Sequence, residues 1–175
     1  MTILTCTTTA TATALTAAAA ALLLAGCASF EASTPPEYTG PTVPVADQVV
    51  AVGEQLVHVF EMTRVDRRTL FSSSRATLQA NQGRGFKVAP VALSNELPPG
   101  PTRVRLQGVT QYAAPILALT NPTCQVQGEV ALVAEAGKRY RVSGVIAPAQ
   151  CAVWIEDLAT GQPVTEIVRG RGTQP

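Results

Sequence analysis

What most restricts this chain is a rhythm. Apolar and polar residues alternate in short runs, and a turn signal ends each run within about a dozen residues. Val126 to Ala134 sets Val126, Gly128, Val130 and Leu132 against Gln127, Glu129, Ala131 and Val133. That period of two sends one set to one face of a strand and the other set to the opposite face. Glu135-Ala136-Gly137-Lys138 then turns the chain into a run from Arg139 to Ile146, with Gly137 where a short hairpin needs a positive φ. Thr102 to Gly108 alternates as cleanly, Val104 and Leu106 inward, Arg103, Arg105 and Gln107 outward. Cys151 to Asp157 and Val164 to Val168 read as strands on either side of the turn Ala159-Thr160-Gly161-Gln162. Together with the absence of a long helical pattern, these runs predict an all-β fold: an antiparallel β-sandwich of about seven or eight short strands.

The part of the chain before these runs fits the same plan less regularly. Gln55 to Val65 places Leu56, His58, Phe60 and Met62 on one face and Val57, Val59, Glu61 and Thr63 on the other, which suits a central strand. Asp66-Arg67-Arg68 forms a polar turn before Thr69-Leu70-Phe71. Ser72 to Gln82 reads as a loop with at most two helical turns, capped by Ser74 and ended by Asn81 and Gly83. Phe86-Lys87-Val88 and Ile116-Leu117-Ala118-Leu119 are expected as short strands, stopped by Pro90 and by Asn121-Pro122, and Leu97-Pro98-Pro99-Gly100-Pro101 as a rigid turn.

Residues 1–26 are almost all Thr, Ala and Leu, without Lys or Arg, and end in the apolar run Leu22-Leu23-Leu24-Ala25-Gly26 before Cys27. The run is too short to span a bilayer permanently, and it reads as a signal helix. Leu24-Ala25-Gly26-Cys27 resembles the lipobox of bacterial lipoproteins, in which the bond before the Cys is cut and the Cys becomes the lipid-bearing first residue. The resemblance implies lipidation at Cys27 and partnership with a membrane. Ala28 stands where an Asp would retain such a protein at the inner membrane, so the expected location is the outer membrane, facing the periplasm or the cell surface. From Ala28 to about Gln48, Pro35-Pro36, Pro41 and Pro44 lie among Thr and Ser. Residues 27–48 are therefore expected as a disordered, lipidated tether, which at roughly 3 Å per residue would hold the domain on the order of 60 Å from the membrane. The sandwich is assigned to residues 49–170, and residues 171–175 to a disordered tail.

Cys6 leaves with the signal and Cys27 takes lipid, so Cys124 and Cys151 remain. An exported chain with two thiols most simply pairs them, and both share the inward parity of their strands; two unpaired buried cysteines are the alternative. Two Cys with the single His58 do not make a zinc spacing, and no metal or cofactor is expected. The formal charge of +1 offers no long-range attraction for nucleic acid, and no nucleic-acid partner is expected.

Leu97-Pro98-Pro99-Gly100, then Gly137-Lys138-Arg139-Tyr140-Arg141-Val142, then Val153-Trp154-Ile155-Glu156-Asp157 with Thr160-Gly161 resembles a group of uncharacterised Gram-negative lipoproteins. The proline-glycine turn before a strand is similar to PEGA-type sandwiches. Both resemblances imply an envelope sandwich and carry over no catalytic residue.

No catalytic residue is expected from the residues either. His58 lies mid-strand beside Phe60 and reads as structural. Glu156 and Asp157 point to opposite sides of a strand and cannot act as a pair. Gly83-Arg84-Gly85 lacks the other glycines and the helix of a phosphate loop. Arg103 with Arg105, Arg139 with Arg141 and Arg169 with Arg171 recur at a spacing of two, as a solvated face or as a patch for anionic envelope polymers. If Cys151 faces inward, Trp154 is thrown outward beside Ala152 and Glu156. It is either covered, by a loop, by the tether near Tyr38 or by a register shift, or it is an exposed anchor. Trp154, Glu156, Arg139 and Arg141 are thus the candidate binding surface. The expected function is a non-enzymatic module that supports the envelope or binds an envelope protein. The alternative is a glycan-binding or hydrolytic accessory of peptidoglycan.

Overall fold

The structure, a computed structural model, describes residues 29–147 and 150–173. Cys27 and the run before it lie outside these residues. The described chain forms β1 (Val43–Ala46), β2 (Gln48–Ala51), β3 (Leu56–Val65), β4 (Arg68–Thr69), α1 (Ser73–Ala80), β5 (Ser94–Leu97), β6 (Gly100–Tyr112), α2 (Pro115–Thr120), β7 (Thr123–Ala134), β8 (Tyr140–Ala147), β9 (Gln150–Asp157), β10 (Val168–Gly170) and β11 (Gly172–Thr173). Five strands have eight residues or more, and the other six have two to four. Among the described residues no helix is long and apolar enough to cross a membrane.

Two sheets face each other. One runs β10-β9-β8-β1-β5 and the other β11-β7-β6-β3-β2, with β4 paired to the far end of β3. All pairings are antiparallel except β1 with β8. The core between them is made by inward residues of both sheets, including Val43, Val45, Met62, Leu97, Leu106, Leu132, Tyr140 and Ile155, each with almost no exposed surface. An all-β sandwich with the expected inward parity is therefore present. The cysteines of β7 and β9 meet in this core as a Cys124–Cys151 disulfide, with Cα atoms 6.4 Å apart.

The expected hairpin at residues 135–138 is overturned. β7 and β8 lie in different sheets, β7 paired with β6 and β8 with β9, so the turn is a crossing between layers. Gly137 does adopt φ +81° and Lys138 N–H does donate to Glu135 O. Local turn chemistry is the same for both outcomes; what decides between them is Tyr140. Its ring is buried in the core and its hydroxyl accepts Glu135 N–H at 3.2 Å, fixing where the second sheet begins.

The tether assigned to residues 27–48 is also corrected. Ser33 Oγ donates to Glu96 O and accepts Glu96 N–H, and Val43 and Val45 fill the core from β1. The prolines concealed this strand. Pro44 is accommodated because the ladder from β1 to β8 covers only Val45 and Ala46, just beyond it. The tail assigned to residues 171–175 is corrected likewise, since Gly172 and Thr173 pair with Cys124 and Thr123. Three shorter expectations change too. Residues 86–88 form no strand. The run at Ile116 is helical, since Pro115 begins a helix with φ already set and a short apolar run has no period that distinguishes helix from strand. The strand expected at Val164 to Val168 is found at Val168–Gly170, because Thr165 Oγ1 rather than a backbone carbonyl accepts Ile155 N–H, and a further short strand, β11, follows it.

The two sheets approach closely at Gly144. A Cβ there would collide with the Phe60 ring of the opposite sheet and with Ala152 O of the neighbouring strand. Gly144→Ala should therefore cost roughly 1–3 kcal/mol by overpacking, and Phe60→Leu should recover part of it, both read from urea unfolding midpoints.

Candidate functional site

The register of β8 on β9 assembles most of the surface that the sequence singled out. Arg141 lies opposite Glu156 and Ser143 opposite Trp154. The Arg141 guanidinium donates to Glu156 Oε1 through both Nε and Nη2. Burial alone would raise the Glu156 pKa, but bonds from Arg141 and Ser143 and the charge of Arg141 outweigh it and hold the carboxyl below its ordinary value. The Trp154 indole N–H is buried without a bond of good geometry, yet lies close enough to the same carboxylate to favour its ionised form. Trp154 itself is half-buried on the outer face and lines a hollow with Val145, Gln150, Ile167 and Arg169. Ile167 and Arg169, in the chain leading into and along β10, line the same hollow. Arg139 stands apart, exposed in the turn before β8, its carbonyl accepting Leu158 N–H.

A second group of chemistry-bearing residues escaped the sequence reading. Asp47, the one residue between β1 and β2, and Glu61 on β3 are both buried beneath α1. Asp47 Oδ1 accepts Met62 N–H at 2.9 Å and Oδ2 accepts the Ser73 hydroxyl at 2.6 Å, while Ser73 Oγ accepts Leu93 N–H. Glu61 accepts Ser74 N–H and the Ser74 hydroxyl, both at 2.7 Å, and Gln107 Nε2. The helix cap is Ser72, two residues earlier than expected at Ser74, and Glu61 takes another free N–H of the first turn, where a carboxylate is favoured. Burial raises the pKa of Asp47 from 3.8 to about 7, against the bonds from Ser73 and Met62. Burial likewise raises that of Glu61, against its bonds from Ser74. The available signals were a Glu on the same strand face as Val57 and Val59, and the run Ser72-Ser73-Ser74.

Glu61 also lies in a cleft of about 460 Å³ whose rim carries Phe30, Arg75 and Leu78. Phe30 meets Phe71 edge to face, ring centroids 5.4 Å apart, and the Arg75 guanidinium sits 5.1 Å over the Phe30 ring. His58 lines a separate opening between the sheets with Leu56, Tyr112 and Ile146, and partial burial lowers its pKa. Among the described residues no group of three or more His, Cys, Asp or Glu is placed to hold a metal ion. The chain matches no family model, no curated protein and no solved structure.

A carboxyl whose pKa is raised by folding stabilises the fold fully below its ordinary value and loses that contribution as pH rises through the folded value. For Asp47 the window runs from 3.8 to about 7. The melting temperature should fall between about pH 4 and about pH 7. Asp47→Asn keeps an acceptor for Met62 N–H and a donor for Ser73 Oγ, and should flatten most of that slope in thermal melts taken across the range; an unchanged slope would assign it to other groups.

Proposed function

We propose that the chain is an exported lipoprotein, cut before Cys27, lipidated there and held at the outer membrane, whose sandwich is a non-enzymatic structural or protein-binding module of the envelope. The observation that carries this reading is the run Leu22-Leu23-Leu24-Ala25-Gly26-Cys27, an apolar segment ending in small residues directly before a cysteine. Two features support it. The Cys124–Cys151 disulfide suits an oxidising compartment. The buried carboxylates are engaged in holding elements together: Asp47 and Glu61 bind backbone amides and serines, and Glu156 binds Arg141. Bonds of this kind hold the elements of a scaffold in register.

Cys27→Ser should abolish acyl labelling of the protein in cells and move the domain from the membrane to the soluble fraction. Labelling that persists in this variant would remove the basis of the reading.

The Trp154 hollow favours a second reading, binding of envelope glycan. A half-exposed indole flanked by Gln150 and Arg169 offers a ring to stack on and polar groups beside it. The hydrolytic form of that reading would need a protonated carboxyl as general acid, and Arg141 holds Glu156 ionised. Peptidoglycan fragments should shift Trp154 emission if the hollow takes sugar, and leave it unchanged if the module binds protein alone.

A further inference from the structure

The folded domain begins almost at the lipidated cysteine. Glu31 N–H donates to Thr69 O at 2.8 Å, Arg68 Nη2 donates to Ser33 O at 2.8 Å, and Phe30 packs on Phe71. The chain is therefore fastened to the outside of the β3–β6 sheet well before β1. Only three peptide steps separate Cys27 from Phe30, and they reach at most about 11 Å. A lipid on Cys27 buries its chains in the hydrocarbon, and the headgroup layer above is itself roughly 5–8 Å thick. An anchor this short cannot let the domain stand off or turn over. Whatever surrounds Phe30 has to face the bilayer.

What surrounds Phe30 suits that position. Its ring is 38% exposed, and Leu78 on the outer side of α1 is 55% exposed. Arg75, one turn before Leu78, is exposed and stacks over Phe30, placing a guanidinium beside apolar surface. Aromatic and aliphatic groups next to a cation are the pairing that settles at a membrane interface, apolar parts among the acyl boundary and charge among phosphates. We propose that the face made by Phe30, Arg75 and Leu78 lies against the phospholipid headgroups, holding the sandwich flat on the membrane with the Trp154 face of the other sheet turned away. This rests on lipidation at Cys27 as proposed above.

The test uses the full lipidated protein in vesicles of phosphatidylethanolamine and phosphatidylglycerol that contain a lipid with a nitroxide at headgroup depth. With Cys27 acylated and Cys124 bonded to Cys151, Leu78→Cys or Val145→Cys supplies the one free thiol for a bimane label. Val145 is 43% exposed on the outer face of the β8–β9 sheet. The label at position 78 should be quenched several-fold more than the label at 145 and more than Trp154. Equal quenching at 78 and 145, or none at 78, while the protein floats with the vesicles would overturn the orientation and leave the anchor standing. Flotation and acyl labelling unaffected by Cys27→Ser would overturn the anchor, and the orientation with it.

Discussion

The sandwich depends on the way the chain passes from one sheet to the other. On one side the passage is a single residue, Asp47, between β1 in one sheet and β2 in the other. Both oxygens of its carboxyl are engaged at once, on Met62 N–H of β3 and on the Ser73 hydroxyl of α1, so one side chain ties the crossing to a strand and a helix. On the other side the passage is Arg171, between β10 and β11, and the disulfide lies directly beneath it: Gly170 pairs with Cys151 and Gly172 with Cys124. A side chain at Gly170 would press on Val126, and its absence lets the chain bend over the bonded sulfurs. One side is therefore held by a buried hydrogen-bonded acid and the other by a covalent bond.

These two fastenings differ in what they respond to. A disulfide closing a loop of 27 residues acts chiefly on the unfolded chain, in the chain-entropy account by roughly 3.5 kcal/mol, and is indifferent to pH in the physiological range. Asp47 acts on the folded state, and its contribution depends on a proton because burial makes its charge costly. A buried acid at a corner is also directional: it accepts from specific amides and hydroxyls, and so selects one register where apolar packing alone would tolerate several.

The sequence spoke clearly where a residue's neighbours in the chain decide its surroundings. Alternation located the long strands, put Cys124 and Cys151 in the core, and sent Trp154 outward to meet Ser143 and Glu156. It failed where distant residues decide. Nothing local to Glu135-Ala136-Gly137-Lys138 says that the next strand belongs to the other sheet, because the turn geometry is shared. Val43 and Val45 alternate as a core strand should, but the prolines around them carried the weight of the reading. The Arg141–Glu156 pair was visible as residue types and needed the strand register to become a contact, whereas Arg139, with the same spacing, falls before the strand begins. Asp47 could not be seen at all, since an isolated Asp between apolar runs is the ordinary signature of a turn.

The four outer strands of the two sheets are β5, β10, β2 and β11, and none exceeds four residues. β2 and β5 each end where the chain bends into the other layer or into a loop and present only a few unpaired amides and carbonyls, whereas β11 pairs with only Thr123 and Cys124 of the twelve-residue β7. A neighbouring copy arriving at β2 or β5 finds a template of at most four residues to extend into a shared ladder. Borders this short keep side-on encounters between copies at those two strands brief.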